Sequence, residues 1–368
     1  MAATATRPSP NATTPTWLDT HDLKAPLNDP LDERFAAIVD ELTRRGFLAA
    51  GAGAVAVAGL DACGPSGSPD DTPAGSATRR VTTPDGSITV PTHPTQVVSV
   101  DYFTGIFLVE LGLVPAGGID YSWVDPSTMY PPYVPILKKI PDIGQITSTD
   151  IEKVAALHPD LILGPTPGSR YDNSKGAIPK LKSLAPVGTV DFDQTGDWRG
   201  PLHQAAQLVN RTDQLQPIAT AYQNAIDAAK TRYADLLATT VVSILDYSQD
   251  GTFALDLPRS TDGVMLADLG VRFGQASADN GTSTRELSVE RIDDLADSDL
   301  ILYRADATGT PTNGLQDVVK LQSWKNLPAV RAGHAYPIGW ADLCTYRWAR
   351  AALNSFTTIL TRYHQDLR

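Results

Sequence analysis

The chain has 368 residues, enough for two domains with cores of their own. Its formal charge of −12 argues against nucleic acid as the partner, since phosphate binding needs a basic face. Two separated cysteines encode neither a disulfide framework nor the clustering of a zinc site.

Residues 1–42 are polar and rich in Pro and Thr. Thr43-Arg-Arg-Gly-Phe-Leu48 follows, then an apolar run from Phe47 to Leu60 that is too short to span a bilayer, then Leu60-Asp-Ala-Cys63-Gly64. The arginine pair resembles the twin-arginine export signature. The end of the run resembles a lipobox, although Asp61 stands where a small or apolar residue is usual. That resemblance implies a signal over 1–62, lipidation at Cys63 and a folded part held outside a membrane. Residues 63–80 lack large apolar side chains and read as a flexible tether.

From Val81 the pattern turns globular. Val81 to Pro91 alternates about Pro84-Asp85-Gly86 and predicts a hairpin. Strands are expected at 96–100, 115–119, 160–163 and 187–192, with helices at 104–113, 150–157, 174–184 and 198–209 between them. This rhythm predicts a parallel sheet with helices on its faces, over an N-terminal lobe of 81–210. Leu215, Ile218, Tyr222, Ile226, Ala229, Tyr233 and Leu236 then form one apolar stripe, predicting a long inter-lobe helix over 211–239. At ~1.5 Å per residue, roughly 25 helical residues make a rod of about 37 Å, which suits a rigid connection. The rhythm resumes over 240–368. Strands are expected at 241–245, 299–303 and 334–338, and helices at 263–270, 286–295 and 342–363.

One unit occurs twice. Asp150-Ile-Glu152 opens a helix, with Asp150 as its capping residue, that leads to Asp160-Leu-Ile-Leu163, and Ser288-Val-Glu290 opens another, capped by Ser288, that leads to Asp299-Leu-Ile-Leu302. Leu108-Val-Glu-Leu-Gly-Leu113 likewise pairs with Leu266-Ala-Asp-Leu-Gly-Val271. Two similar lobes follow. Gly112 to Glu152 is 40 positions and Gly270 to Glu290 is 20, so the first lobe carries an insertion of 40 − 20 = 20 residues around Tyr121–Tyr133. Its Tyr121, Trp123, Tyr130 and Tyr133 point to a ligand loop, or else pack on their own lobe.

Glu152-Lys-Val-Ala-Ala-Leu-His-Pro-Asp-Leu-Ile-Leu163 and Trp324-Lys-Asn-Leu-Pro-Ala-Val-Arg-Ala-Gly-His-Ala-Tyr-Pro337 resemble two segments of the class III solute-binding proteins of ABC importers. The resemblance runs from about residue 81 to the C-terminus. It implies an α/β fold of two Rossmann-like lobes joined by one long helix, acting as a monomer, with a ferric siderophore, haem or cobalamin between the lobes. It also implies that Glu152 and Glu290 dock onto the ABC permease dimer, one per subunit. Read locally, both need only the helix macrodipole, and Thr149 with Glu152 has capping-box spacing.

Ligands in open parallel sheets sit beyond the C-terminal strand ends. That rule selects Asp101, Tyr102, Phe103, Tyr121, Ser122, Trp123, Thr166, Arg170, Tyr171, Asp246, Tyr247, Arg304, Trp340 and Arg347, with Arg285 before the repeated helix and Tyr130 from the inserted loop as further candidates. Tyr, Trp and Arg suit a chelate with an aromatic or amide-like surface and anionic donor oxygens. The expected cargo is therefore a Fe(III)-siderophore whose metal is held by the chelator, with no resident cofactor and no metal ligand from the protein. The histidines are scattered and no hydrolase, phosphate-loop or zincin motif is present, so an enzyme is the competing class, with a non-transporting sensor as a third.

Overall fold

The computed structural model describes residues 77–124, 126, 129–145, 147–169, 172, 177–192, 196–306, 308–340 and 342–368. The expected signal segment, Cys63, Arg170 and Tyr171 lie outside the described residues.

Lobe one opens with the hairpin of β1 (Thr78–Thr83) and β2 (Gly86–Pro91). The strand starts within the stretch expected to be tether, because Arg79 is anchored: its Nη2 donates to Leu208 O at 2.8 Å. β3 (Val97–Ser99) leads into α1 (Tyr102–Glu110). The insertion holds α2 (Val134–Leu137), and β4 (Gly144–Gln145) with β5 (Ser148–Thr149) precedes α3 (Ile151–Ala156). β6 (Leu161–Pro165), α4 (Ala177–Leu181), β7 (Val187–Val190) and α5 (Arg199–Leu208) complete the lobe. β3, β6 and β7 form a parallel sheet in the order β3-β6-β7, buried on both faces as such sheets must be. The expected strand at 115–119 shrinks to single bridges at Gly117 and Gly118.

The connection is α6 (Thr212–Arg232), stopped at Tyr233 and followed by the short α7 (Ala234–Thr239). The rod therefore has 21 residues, about 31 Å at ~1.5 Å each, rather than running unbroken to 239. Pro217 lies inside it, beyond the first turn.

Lobe two comprises β8 (Val241–Gln249), β9 (Thr252–Asp256), α8 (Gly263–Leu269), β10 (Arg272–Phe273), β11 (Thr284–Ser288) and β12 (Leu300–Arg304). Then come α9 (Leu315–Val318), α10 (Gln322–Asn326), α11 (Pro328–Arg331), β13 (Ala335–Ile338) and α12 (Tyr346–Asp366). β8, β12 and β13 are parallel, as expected. β9 and β11 extend the sheet antiparallel, in the order β11-β9-β8-β12-β13. The first three residues of the expected helix at 286–295 are thus strand, and Val289–Leu295 is 3-10 helix with Arg291 off helical geometry.

An apolar cluster runs from Phe107 of α1 through Tyr222 and Ile226 of α6 to Phe356 of α12 and Leu302 of β12, so the lobes share a core. Polar ties cross the same region. Arg199 Nη1 of α5 pairs with Asp268 of α8 at 2.6 Å, and the Tyr222 hydroxyl donates to the same carboxylate at 2.8 Å. The buried Trp198 donates from Nε1 to Thr261 O at 3.2 Å. Among the described residues no helix is long and apolar enough to cross a membrane.

Candidate functional site between the lobes

The wall contributed by lobe one is aromatic. At the C-terminal end of β3 the chain turns through Asp101, whose Oδ1 accepts from the amides of Phe103 at 2.8 Å and Thr104 at 3.0 Å. That N-cap starts α1 at Tyr102 and fixes where the first ring stands. Tyr121 lies against the same turn, its hydroxyl donating to Tyr102 O at 3.0 Å. A Cβ on Gly105 would collide with that hydroxyl, so only glycine lets the ring approach the helix. Trp123 stacks on Tyr102 with centroids 5.6 Å apart and planes 23° apart. Trp123 is nonetheless 59 % exposed, a large apolar face left toward solvent.

The wall contributed by lobe two is built on Arg304, the last residue of β12 and 3 % exposed. Its Nε donates to Asp246 Oδ1 at 3.0 Å, Nη2 to Asp256 Oδ2 at 3.1 Å, and Nη1 to Trp340 O at 2.7 Å. Asp262, fully buried at the start of α8, also pairs with Nη2. Burial pushes the Asp262 carboxyl up to about 6 against the opposing pull of Arg304, and burial with the neighbouring Asp246 raises Asp256 well above the usual carboxylate range. Leu343 N donates to Asp262 Oδ1 at 2.9 Å, which carries the loop after β13 across this cluster. The loop exposes Asp342, held at φ +52, with no hydrogen bond or ion pair among the described residues. The two walls meet where Tyr102 packs against the apolar cluster that holds Trp340 and Leu343, and its phenol is pushed up first by burial, then by Asp342, Cys344, Tyr121 and Asp262.

The residues selected from the sequence separate into groups. Tyr102, Tyr121 and Trp123 come together on lobe one; Arg304 and Trp340 come together on lobe two, with Tyr247 half-buried on β8. Tyr130 and Tyr133 pack edge to face at 4.9 Å inside their own lobe, 8 % and 0 % exposed, so most of the inserted loop's aromatics build core. The three described arginines do not offer free positive charge. Arg285 donates to Ala276 O at 2.7 Å, Arg304 is matched by aspartates, and Arg347 Nη1 pairs with the buried Glu110 at 3.0 Å. A buried guanidinium must be neutralised locally, and the chain does so itself. Sequence reading missed Asp256, Asp262, Asp342 and Glu110. Strand-end position would have found Asp256 had β9 been recognised. Among the described residues no group of His, Cys, Asp or Glu is arranged to hold a metal ion.

Glu152 and Glu290 both lie exposed at the start of their elements. The cap of α3 is Asp150, whose Oδ1 accepts from Glu152 N at 3.0 Å and Lys153 N at 3.1 Å; Thr149 is not the cap, because the helix begins one residue later. Ser288 plays the equivalent part, accepting from Glu290 N at 3.3 Å. The adjacent cations are engaged elsewhere: Lys153 Nζ pairs with Asp142 at 2.9 Å, and Arg291 Nε with Asp294 at 2.9 Å. Neither glutamate side chain has a partner among the described residues.

Comparison with known proteins gives the architecture its relatives. The iron(3+)-hydroxamate-binding protein FhuD of Bacillus subtilis is 28 % identical over 299 residues, covering 77 % of this chain and 88 % of that protein. The probable siderophore-binding lipoprotein YfiY of the same organism is 27 % identical over 297 residues, covering 77 % of this chain and 87 % of that one. Among solved structures, the siderophore periplasmic binding protein from the fuscachelin gene cluster of Thermobifida fusca superposes with a TM-score of 0.63 at 25 % identity, over 74 % of this chain and 98 % of that one. Staphylococcus aureus SirA, solved with staphyloferrin B, shares the fold with a TM-score of 0.61 at 18 % identity, over 77 % of this chain and 99 % of that one. The profile of the periplasmic binding protein family matches residues 97–339, and the chain belongs to that family.

Proposed function

We propose that this protein captures a ferric siderophore between its two lobes and delivers it to an ABC permease, without covalent chemistry. The observation that carries the reading is the opposed pair of walls: an exposed indole stacked on Tyr102, facing the Arg304 cluster and Asp342 at the strand ends of the other lobe. Strand ends are where such sheets bind ligands, and aromatic faces give contact area with little entropy to lose. The relatives named above for hydroxamate and siderophore binding support the cargo class. The iron is cargo, held by the chelator. Tyr102, Trp123, Trp340 and Asp342 would meet it, with the buried Tyr121 supporting Tyr102 from behind and Arg304 setting the charge beneath, and Arg170 and Tyr171 remain candidates from sequence.

Delivery rests on Glu152 and Glu290 as the two contacts for a permease dimer, which fits their exposure and their free carboxylates. The arginine pair in Thr43–Leu48 and the run ending at Cys63 support export by a twin-arginine-type signal, with a lipid anchor on a monomer outside the membrane. The relative described as a lipoprotein agrees with the anchor. The test is iron uptake by cells deleted for this protein, with iron supplied as one siderophore at a time. Uptake of at least one chelate should vanish and return with the wild-type chain. Unchanged uptake of every chelate contradicts the reading.

A further inference from the structure

The sequence predicts arginines meeting an anionic chelate, and the folded site has the opposite charge. Asp246, Asp256, Asp262 and Asp342 surround the single guanidinium of Arg304. Burial raises Asp256, Asp262 and Asp342, and the cluster sets four carboxyl groups against one cation. Asp342 is the exposed member and makes no hydrogen bond or ion pair among the described residues; burial raises its carboxyl against the opposing pull of Arg304. Beside it Trp340, only 7 % exposed, buries an indole Nε1–H without an acceptor, while its carbonyl holds Arg304. A buried donor left unmatched is costly unless something else supplies the acceptor. Across the cleft stand the π faces of Tyr102 and Trp123. Carboxylates on one side and aromatic faces on the other are the recognition chemistry of an organic cation.

Resting on the siderophore reading above, we infer that the cleft selects a ferric chelate of neutral or positive charge, a trihydroxamate with a pendant ammonium that pairs with Asp342. Three singly charged hydroxamates neutralise ferric iron, so a free amine makes the whole chelate a cation whose hydroxamate oxygens can accept from a buried N–H. Three doubly charged catecholates leave a trianion, which the aspartates of this wall repel. The sign of the site thus separates two chelate classes that share iron, size and aromatic contact.

The test is a tryptophan-fluorescence titration of the purified full-length protein with three ferric probes. They are a linear trihydroxamate with a free terminal ammonium, the same chelate with that amine acetylated, and a tris-catecholate. Acetylation should weaken binding by about tenfold, the scale of one desolvated charge contact, and the catecholate should bind weaker still. Asp342→Asn should close the gap between the two hydroxamates; asparagine tolerates positive φ, so the loop keeps its shape. Equal binding of the two hydroxamates, tighter binding of the catecholate, or an unchanged gap in Asp342→Asn overturns the inference and leaves siderophore capture standing. Failure of all three probes to bind overturns the inference together with the capture reading.

Discussion

Arg347 Nη1 donates to Glu110 Oε2 at 3.0 Å and to Glu110 O at 2.9 Å, joining the first turn of α12 in lobe two to the end of α1 in lobe one. Both residues are buried, and Tyr133 and Thr345 close the same node. Arg347 therefore holds the lobes together where sequence reading placed it on the ligand. Glu110→Gln or Arg347→Met alone should destabilise the fold by roughly 3–5 kcal/mol, because each strands a buried charge. The double variant should be less destabilised than the sum of the two. Denaturant midpoints of the four proteins check this; strict additivity would mean that the pair is not coupled.

Trp123 makes the complementary case. Its ring is mostly in water and stacks on Tyr102 alone among the ring pairs, so Trp123→Ala should change stability within about 0.5 kcal/mol. Affinity for the cargo should fall by roughly 1–2 kcal/mol, about five- to thirtyfold, since an aromatic anchor is lost. Thermal unfolding and a binding titration on the same preparation separate the two effects. Loss of stability with unchanged affinity would assign the indole to the fold.

The acid cluster sets a pH dependence. The folded-state value of Asp262, about 6, lies above its ordinary 3.8. Between those values the folded chain keeps a proton that the unfolded chain has lost, so this group's contribution to stability declines as pH rises through that window and is flat above it. Binding of an ammonium-bearing chelate runs the other way. Acidification through about 6 protonates Asp262, while Arg304 keeps its charge against Asp246, Asp256 and Asp342, and the wall loses attraction for a cation. Dissociation constants at pH 5 and pH 7.5 should show weaker binding at the lower value. A flat profile would remove Asp262 from the site's electrostatics.

The two exposed glutamates should matter only for delivery. Glu152→Ala with Glu290→Ala should leave ligand affinity and unfolding midpoint nearly unchanged and abolish uptake into cells. The caps are Asp150 and Ser288, which the double variant retains. If uptake survives the double change, permease docking does not run through these carboxylates.

What the sequence revealed was what periodicity and repetition encode. The identical Asp-Leu-Ile-Leu runs are β6 and β12, each an interior strand paired on both sides, and the apolar stripe from Leu215 is α6. What it hid was local and electrostatic. Asp250-Gly251, both at positive φ, is the tight turn that makes β8 and β9 a hairpin, a two-residue signal overlooked beside longer helical patterns. Once β9 and β11 were missed, Asp256 could not be placed at a strand end. The arginines misled for a different reason. Residue type announces a charge, but only the fold brings Glu110 to Arg347 and Asp262 to Arg304, over 237 and 42 positions of chain (347 − 110 and 304 − 262).

Siderophore capture is tested most directly by titrating the purified full-length protein with a panel of ferric siderophores and with haem, following tryptophan fluorescence and the visible spectrum. Saturable quenching by at least one ferric chelate, with one bound per chain, is the predicted result. A Soret shift with haem and no quenching by any ferric siderophore would contradict it.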